Sequence, residues 1–399
     1  MNESAFNTLL DIEDVIKQAN EGTLVKLSSG TISKRHGALR DAARLQALTT
    51  LARNSKDGTL LLQDSSNYDE ILNELCNYAP GLTSARLNKS INIGSKNILR
   101  RASLLHAQNK VIASDRLQFD KFLKGRSIDL SCISGADRQF ISPLFTKRDR
   151  FSVKNSSQMK QTMISIFKAI NNREFNNLDS DLINAFGFFG CELFKNTQEH
   201  ACTDENGLPY IAHVEGLITS WGDLLSSVYK QDFMGNEKLV NYWNNNATSS
   251  NDSTETSLRC MQVSFFDTGP GLVKRAFGNA REQGLLTEKE ALLKCIGRNF
   301  TTKEQTGGGN GYPTILTQLS KVGGLIRIRS GNQCIFNCFD KHNHSFWDNL
   351  EDPSQRSTKK EQYLMDFNSW DNENLSQASG TVVSIIVPLR KSSGQHNLF

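Results

Sequence analysis

A run of glycines at the start of a helix constrains this chain more than any other feature. Residues 306–312 read TGGGNGY, and the segment that follows, YPTILTQLSKVGG, has the apolar repeat of a helix ending in glycine. Gly307, Gly309 and Gly311 leave backbone N–H groups uncovered at the positive end of a helix dipole, a natural cradle for a phosphate. Lys303 stands in sequence where it can add a positive charge. No Gly-Lys-Ser/Thr follows the glycines, so the run is not a Walker A loop. Its G-x-G-x-G spacing, outside any βαβ unit, also excludes a dinucleotide fingerprint. Taken alone, the segment is equally a flexible glycine loop.

Two further stretches give it context. DTGPGL, residues 267–272, directly continues the apolar strand LRCMQVSFFD. Asp267 can accept a hydrogen bond from an exocyclic amine, and Gly269 and Gly271 let the backbone turn tightly against a ligand. The same D-x-G pattern also closes ordinary turns. Upstream, CELFKNTQEHA (191–201) reads as helix, so Glu192 and Asn196 project from one face a turn apart. Such a pair can polarise a water with the carboxylate and hold a hydrated Mg²⁺ through the amide oxygen. By itself it is also an ordinary solvated helix face.

The 399 residues suffice for two domains, and 38% hydrophobic with 22% charged content excludes a disordered chain. No apolar run approaches the roughly 18 residues of a membrane helix. The N-terminus, MNESAFNTLLDIEDVIKQ, lacks a basic segment followed by an apolar one, so no signal peptide is expected. Eight cysteines without CxxC pairs suit reduced thiols, which predicts a cytoplasmic protein without membrane attachment. CIFNCFDKHNH (334–344) gathers two cysteines and two histidines, but its alternation fits a strand with buried thiols better than a zinc finger. Charge is uneven: residues 86–126 hold ten basic and two acidic side chains. Nucleic acid is one candidate partner for that stretch. A solvated basic face or a protein contact is the other, favoured because no aromatic is interleaved before Phe119 and Phe122.

Helical patterns over 6–20, 35–53 and NYDEILNELCNYA alternate with strand patterns at TLVKLSSG, TLLLQ and SIDLSCIS. This order predicts a small α/β N-terminal domain over residues 1–150, with no chemistry-bearing motif and an unknown role. The polar, basic stretch near 145–157 marks the expected boundary. Residues 151–392 then carry the three motifs, the helices SQMKQTMISIFKAINN and TEKEALLKCIG, and the strands GLITSWG, GLIRIRS and GTVVSIIVPL. NNNATSSNDSTETS reads as a surface loop, and 340–379 has no clear pattern.

ExxxN on a helix, DxGxG after a strand and GxGxG before a helix, in this order, resemble the GHKL superfamily of Bergerat-fold ATPases. That superfamily includes gyrase-type topoisomerases, MutL-type repair proteins, heat-shock chaperones and histidine kinases. The resemblance covers roughly residues 155–390. FTTKEQTGGGNG looks like the end of the ATP lid of some histidine kinases, and Gly380-Thr381 like the start of their closing strand. It implies a two-layer α/β sandwich, a mixed sheet with helices on one face, following the smaller N-terminal α/β domain. It also implies ATP and Mg²⁺ as cofactors. Asn196 would ligate the metal and Glu192 would be the general base or water-orienting carboxylate. Asp267 would bind the adenine amine, Gly269 and Gly271 would shape the adenine pocket, and Thr381 would support it. Gly307, Gly309 and Gly311, with Lys303, would take the phosphates, and residues 272–306 would form the lid.

The expected activity is an Mg²⁺-dependent ATPase whose nucleotide state switches a contact with a protein partner or within a homodimer. Glu199, where many histidine kinases carry a basic residue, and Tyr312-Pro313, in place of a small or aliphatic pair, depart from the pattern at the phosphate end. Neither His36 nor His106 has the sequence surroundings of a phospho-accepting histidine, and many histidine kinases lack a carboxylate at the position of Glu192. Self-phosphorylation is therefore disfavoured. CELFKNTQEHA also resembles anti-sigma-type serine kinases, so transfer to a partner serine and an ATP-gated nucleic-acid-binding module stay open as alternatives.

Overall fold

The apolar repeats near the N-terminus form α1 (Leu9–Asn20) and α3 (Ala38–Asn54), with the short α2 (Ser29–Ser33) between them. The computed structural model describes residues 6–200, 202–204, 207–233, 236–249, 255–278, 287–296, 311–339, 364–367 and 375–389. Thr8 starts α1 by reciprocal capping: its hydroxyl accepts from the Asp11 N–H, and the Asp11 carboxylate accepts from the Thr8 N–H. Strands β1 (Lys26–Leu27), β2 (Thr59–Leu62), β3 (Ser90–Ile93) and β4 (Lys96–Leu99) form a small sheet in that order. Its first two pairings are parallel and the last is antiparallel. Helices α4 (Tyr68–Cys76), α5 (Ala79–Leu87), α6 (Arg100–Leu105) and α7 (Gln108–Asp115) complete this part.

The larger sheet contains β5 (Ser127–Ile133), β6 (Val214–Leu225), β7 (Thr248–Ser249) and β8 (Thr256–Asp267). It also contains β9 (Leu325–Gly331), β10 (Gln333–Cys338), β11 (Met365–Asp366) and β12 (Ala378–Pro388). Its order is β11-β10-β9-β12-β8-β6-β5, with β7 paired to β8. Every pairing among its described strands is antiparallel. The helices of this half are α8 (Ser156–Phe175), α9 (Ser180–His200), α10 (Ser226–Phe233) and α11 (Glu237–Asn246). They are followed by α12 (Leu272–Phe277), α13 (Glu288–Ile296) and α14 (Gly311–Val322). No described helix is long and apolar enough to cross a membrane.

The chain is α/β, as its pattern predicts, but the layering differs from the expectation. Alternate residues of a strand face opposite ways. Met261, Val263 and Phe265 of β8 pack with Ile328 and Ile385 against Met163 of α8, Phe189 of α9 and Ile315 of α14. Leu258, Cys260 and Phe266 of the same strand enter cores containing Ile12 of α1 and Ala42 and Ala43 of α3. The large sheet is thus antiparallel and covered on both faces, not a mixed sheet with helices on one face. The mixed sheet is the small N-terminal one. The reason lies in the strands: MQVSFF and VVSIIV are near-continuous apolar runs, which read as strands buried on both sides. A two-layer arrangement would leave half of those side chains in water.

The first 150 residues, together with α10 and α11, supply the second cover, and their contacts cross the expected boundary. β5 pairs with β6 along its whole length. Arg329 of β9, fully buried, donates twice at 2.9 Å to the Glu13 carboxylate of α1. Arg40 of α3 lies 2.6 Å from the Asp232 carboxylate of α10. Buried pairs of this kind cost about 3–5 kcal/mol to break from one side, so they hold α1 and α3 in register with the sheet.

On the opposite face, GFFG in α9 brings two helix backbones close. A Cβ at Gly187 would lie 2.6 Å from Lys160 Cβ, and one at Gly190 would lie 2.5 Å from Met159 Cγ, both residues of α8. Phe186 meets Phe167 and Phe189 edge-on at 5.1 and 5.8 Å. This packing sets the rotation of α9 about its axis, and so the direction of Glu192 and Asn196.

Candidate functional site

Polar side chains line up across five strands. Cys132, Glu215 and Asp267 are successive cross-strand partners on β5, β6 and β8, while Thr381 of β12 partners Ser330 of β9. The Asp267 carboxylate joins the two sets, because its Oδ1 accepts the Thr381 N–H at 3.2 Å. Directly opposed residues share a face. The row lies under α9, whose Gln198 amide donates to Glu215 Oε1.

At the centre of the row the DTGPGL turn is bonded to the start of β12. Asp267 Oδ1 also takes the Gly269 N–H at 2.9 Å, and the Gly380 N–H donates to the Gly269 carbonyl at 2.8 Å. Gly380 has φ +77°, and a Cβ there would overlap the Asp267 carbonyl oxygen, so only glycine fits. Gly271 ends the turn just before α12, where the Leu272 N–H donates to Ser330 Oγ at 3.0 Å. Ser330 Oγ in turn lies 3.3 Å from Thr381 Oγ1.

The phosphate-side motif reaches the same place through the first residues of α14. A Cβ on Gly311 would lie 3.3 Å from Glu192 Oε2 and 4.0 Å from Asn196 Nδ2. The backbone that opens α14 therefore rests on the carboxylate–amide pair of α9. Tyr312, the next residue, is buried, and its phenol pKa is pushed up by that burial and then by the charge of Asp267. Gly311 of α14 thus sits against Glu192 and Asn196, and Tyr312 beside it lies within the electrostatic reach of Asp267.

Burial shapes the electrostatics. It pushes the Asp267 carboxyl up to about 6, against the opposing hydrogen bonds from Gly269 and Thr381 and the charge of Arg53. Glu215 is fully buried and is pushed up to about 8, by burial first and by Asp267 second. His213 is pushed down to about 4 by burial and by the nearby Arg53 and Arg86. Arg53, in the last turn of α3, donates to the carbonyls of Ala212 at 2.9 Å and Thr268 at 2.8 Å. Its guanidinium lies 4.0 Å from the centre of the Tyr210 ring. Gln46, two turns earlier, donates to the carbonyls of Arg329 and Gly380 at 3.0 and 3.1 Å. The N-terminal region, in which the sequence shows no motif, therefore braces the site from behind.

Of the residues singled out from the sequence, Glu192, Asn196, Asp267, Gly269, Gly271, Gly311 and Thr381 fall within this one region. Lys303, Gly307 and Gly309 lie outside the described residues, as do His342 and His344. Cys334 and Cys338 are buried on β10, as the alternation of that segment predicts. Sequence reasoning missed Ser330, Glu215, Gln198, Gln46 and Arg53. Only Ser330, inside the strand GLIRIRS, and Glu215, beside GLITSWG, carried a local signal: a polar residue in or next to an otherwise apolar run. The basic stretch 86–126 divides its charges. Arg86, Arg100 and Lys110 turn inward, to the Ser134, Ile211, Leu87 and Asn88 carbonyls and the Asp129 carboxylate. Lys89, Lys96, Arg101, Arg116, Lys121, Lys124 and Arg126 remain exposed. Comparison with protein-family models, curated proteins and solved structures yields no match to this chain.

Proposed function

We propose that this chain is an Mg²⁺-dependent ATPase of the GHKL type, in which nucleotide state switches a protein contact. The observation that carries the reading is the seating of Gly311 against Glu192 and Asn196. Three motif segments far apart in the chain converge on one side of one sheet, and nothing local in their sequences requires it.

The residues present fit Mg²⁺ and a nucleotide. The Asn196 amide oxygen and the Glu192 carboxylate are hard oxygen donors of the kind Mg²⁺ takes, usually alongside retained waters. Gly311 has no side chain where one would crowd Glu192, a cradle suited to close approach by a phosphate. Asp267 offers a buried acceptor for an exocyclic amine, held in place by Gly269 and Thr381. Bound Mg²⁺ would neutralise phosphate charge as it develops. Asn196 would orient that ion. Glu192 would accept the proton of the attacking water, and Asp267 with Thr381 would set the depth of the base.

Glu192→Gln tests the assignment. It keeps the shape and the hydrogen-bonding capacity of the side chain but removes the base. Turnover should fall roughly 10²–10⁴-fold, with ATP affinity within a few-fold of the parent chain. Unchanged turnover in a variant that still binds ATP would remove Glu192 from the mechanism. A parent chain that binds no ATP would remove the proposal.

A further inference from the structure

Beside the proposed nucleotide site lies a second cluster that the mechanism does not use. Cys202 follows the end of α9, His213 precedes β6, and Glu215 is the second residue of β6. One ligand atom from each lies within 4.8 Å of the other two. His213 and Glu215 are separated by one residue, so their side chains leave the strand on the same side. His213 Nε2 is 3.9 Å from Glu215 Oε1, and the Cys202 thiol reaches the Gln198 carbonyl at 3.3 Å.

The burial of this cluster is not explained by its hydrogen bonds. His213 is 6% exposed and Glu215 is 0% exposed. Neither ring nitrogen of His213, nor Glu215 Oε2, has a hydrogen-bond partner among the described residues. Leaving such groups dry and unpartnered is costly, more so for a charged group. Gln198 makes one compensating contact, donating to Glu215 Oε1. That bond fixes the carboxylate so that its second oxygen is left for another ligand, as outer-shell partners do at metal sites.

We propose that Cys202, His213 and Glu215 bind one Zn²⁺, which ties the connection after α9 to β6, directly beside Asp267. The donor set selects the metal. A thiolate and an imidazole disfavour Mg²⁺ and Ca²⁺, and a mixed sulfur, nitrogen and oxygen set suits Zn²⁺. Ligand bonds of about 2.0–2.3 Å put donor atoms about 3.3–3.8 Å apart on a tetrahedron. From separations of up to 4.8 Å the cluster reaches this spacing by a contraction of roughly 1.5 Å at most. Three protein ligands leave the fourth position to water.

The site can be read without nucleotide, so its test is independent of the ATPase proposal. Full-length protein is stripped with chelator and titrated with Co²⁺, then with Zn²⁺. The expected result is one Co²⁺ per chain, with a thiolate-to-metal charge-transfer band and the intense visible absorption of a four-coordinate ion. Zn²⁺ should abolish both in equimolar amount. Cys202→Ser should lose the charge-transfer band while keeping the far-UV dichroism of the parent, and Glu215→Gln should weaken binding at least tenfold. If Cys202→Ser does not fold, His213→Asn is read instead by affinity and should bind Co²⁺ at least tenfold more weakly than the parent. Absence of metal binding by the parent chain, a charge-transfer band that persists in a folded Cys202 variant, or parent-like Co²⁺ affinity in a folded His213 variant overturns the site.

Discussion

Replacing Asp267 by Asn separates the architectural role of this residue from recognition of the base. The amide is isosteric with the carboxylate. Its Oδ1 can keep the Gly269 N–H at 2.9 Å and the Thr381 N–H at 3.2 Å, so the bonds between the turn and β12 survive. The other terminal atom changes from acceptor to donor, and an exocyclic amine would then meet a second donor. A hydrogen bond to a charged acceptor contributes about 1.5–3 kcal/mol, which corresponds to a loss of ATP affinity of roughly 10- to 150-fold. Stability should move the other way. Burial holds the Asp267 carboxyl up at about 6, so at neutral pH the folded chain bears the cost of an ionised, buried group. The variant does not, and its melting temperature at pH 7 or 8 should hold or rise. Calorimetric titration with ATP, with inorganic pyrophosphate as a control for the phosphate end, reads the first effect. A thermal scan reads the second. ATP affinity within twofold of the parent, in a variant that melts no lower, would refute the assignment of Asp267 to the base.

Glu215 gives a pH signature in chelator-treated protein. Its folded pKa, about 8, lies above the ordinary 4.5, so between these values the folded chain holds a proton that the unfolded chain has released, and stability falls as pH rises. Subtracting the unfolding free energies of Glu215→Gln from those of the parent, by urea titration from pH 4 to 9, should isolate this slope; a flat difference would mean that Glu215 ionises normally. Gly187→Ala would place a methyl group 2.6 Å from Lys160 Cβ and 2.9 Å from Lys160 Cα, and overpacking of about 1–3 kcal/mol should outweigh the gain in helix propensity. An unchanged urea midpoint would show that α8 and α9 separate freely. Gln46→Ala would strip one donor from the buried Arg329 and Gly380 carbonyls, with an expected loss of about 1–3 kcal/mol and weaker ATP binding, because Gly380 adjoins Thr381. Full ATP affinity in a destabilised variant would confine Gln46 to the fold.

The secondary structure of this chain is largely written in local pattern. The repeats at 6–20 and 35–53 became α1 and α3, and LRCMQVSFFD and GTVVSIIVPL became β8 and β12, because helix and strand periodicity act over a few residues. Other parts were legible only in pieces. Gly380 was visible as the start of a strand, but its necessity comes from the Asp267 carbonyl, which lies 113 positions earlier in the chain. The apolar runs of β8 and β12 already required cover on two sides. Periodicity along a strand, however, names no covering element, and α1 and α3 were free in sequence to form a separate body.

The sequence by itself determined the elements, the three motifs and the donors they carry, since spacing along a helix or a turn places residues only against near neighbours. Only the tertiary structure decided what those donors meet. Sheet register put Glu215 opposite Asp267 and Thr381 opposite Ser330. Helix packing set Gly311 on Glu192, and the cover from α3 brought Gln46 and Arg53 behind the site. The grouping of Cys202, His213 and Glu215 has the same origin. Contacts between distant segments follow from burying two faces of one sheet at once, and no interval in the chain encodes them.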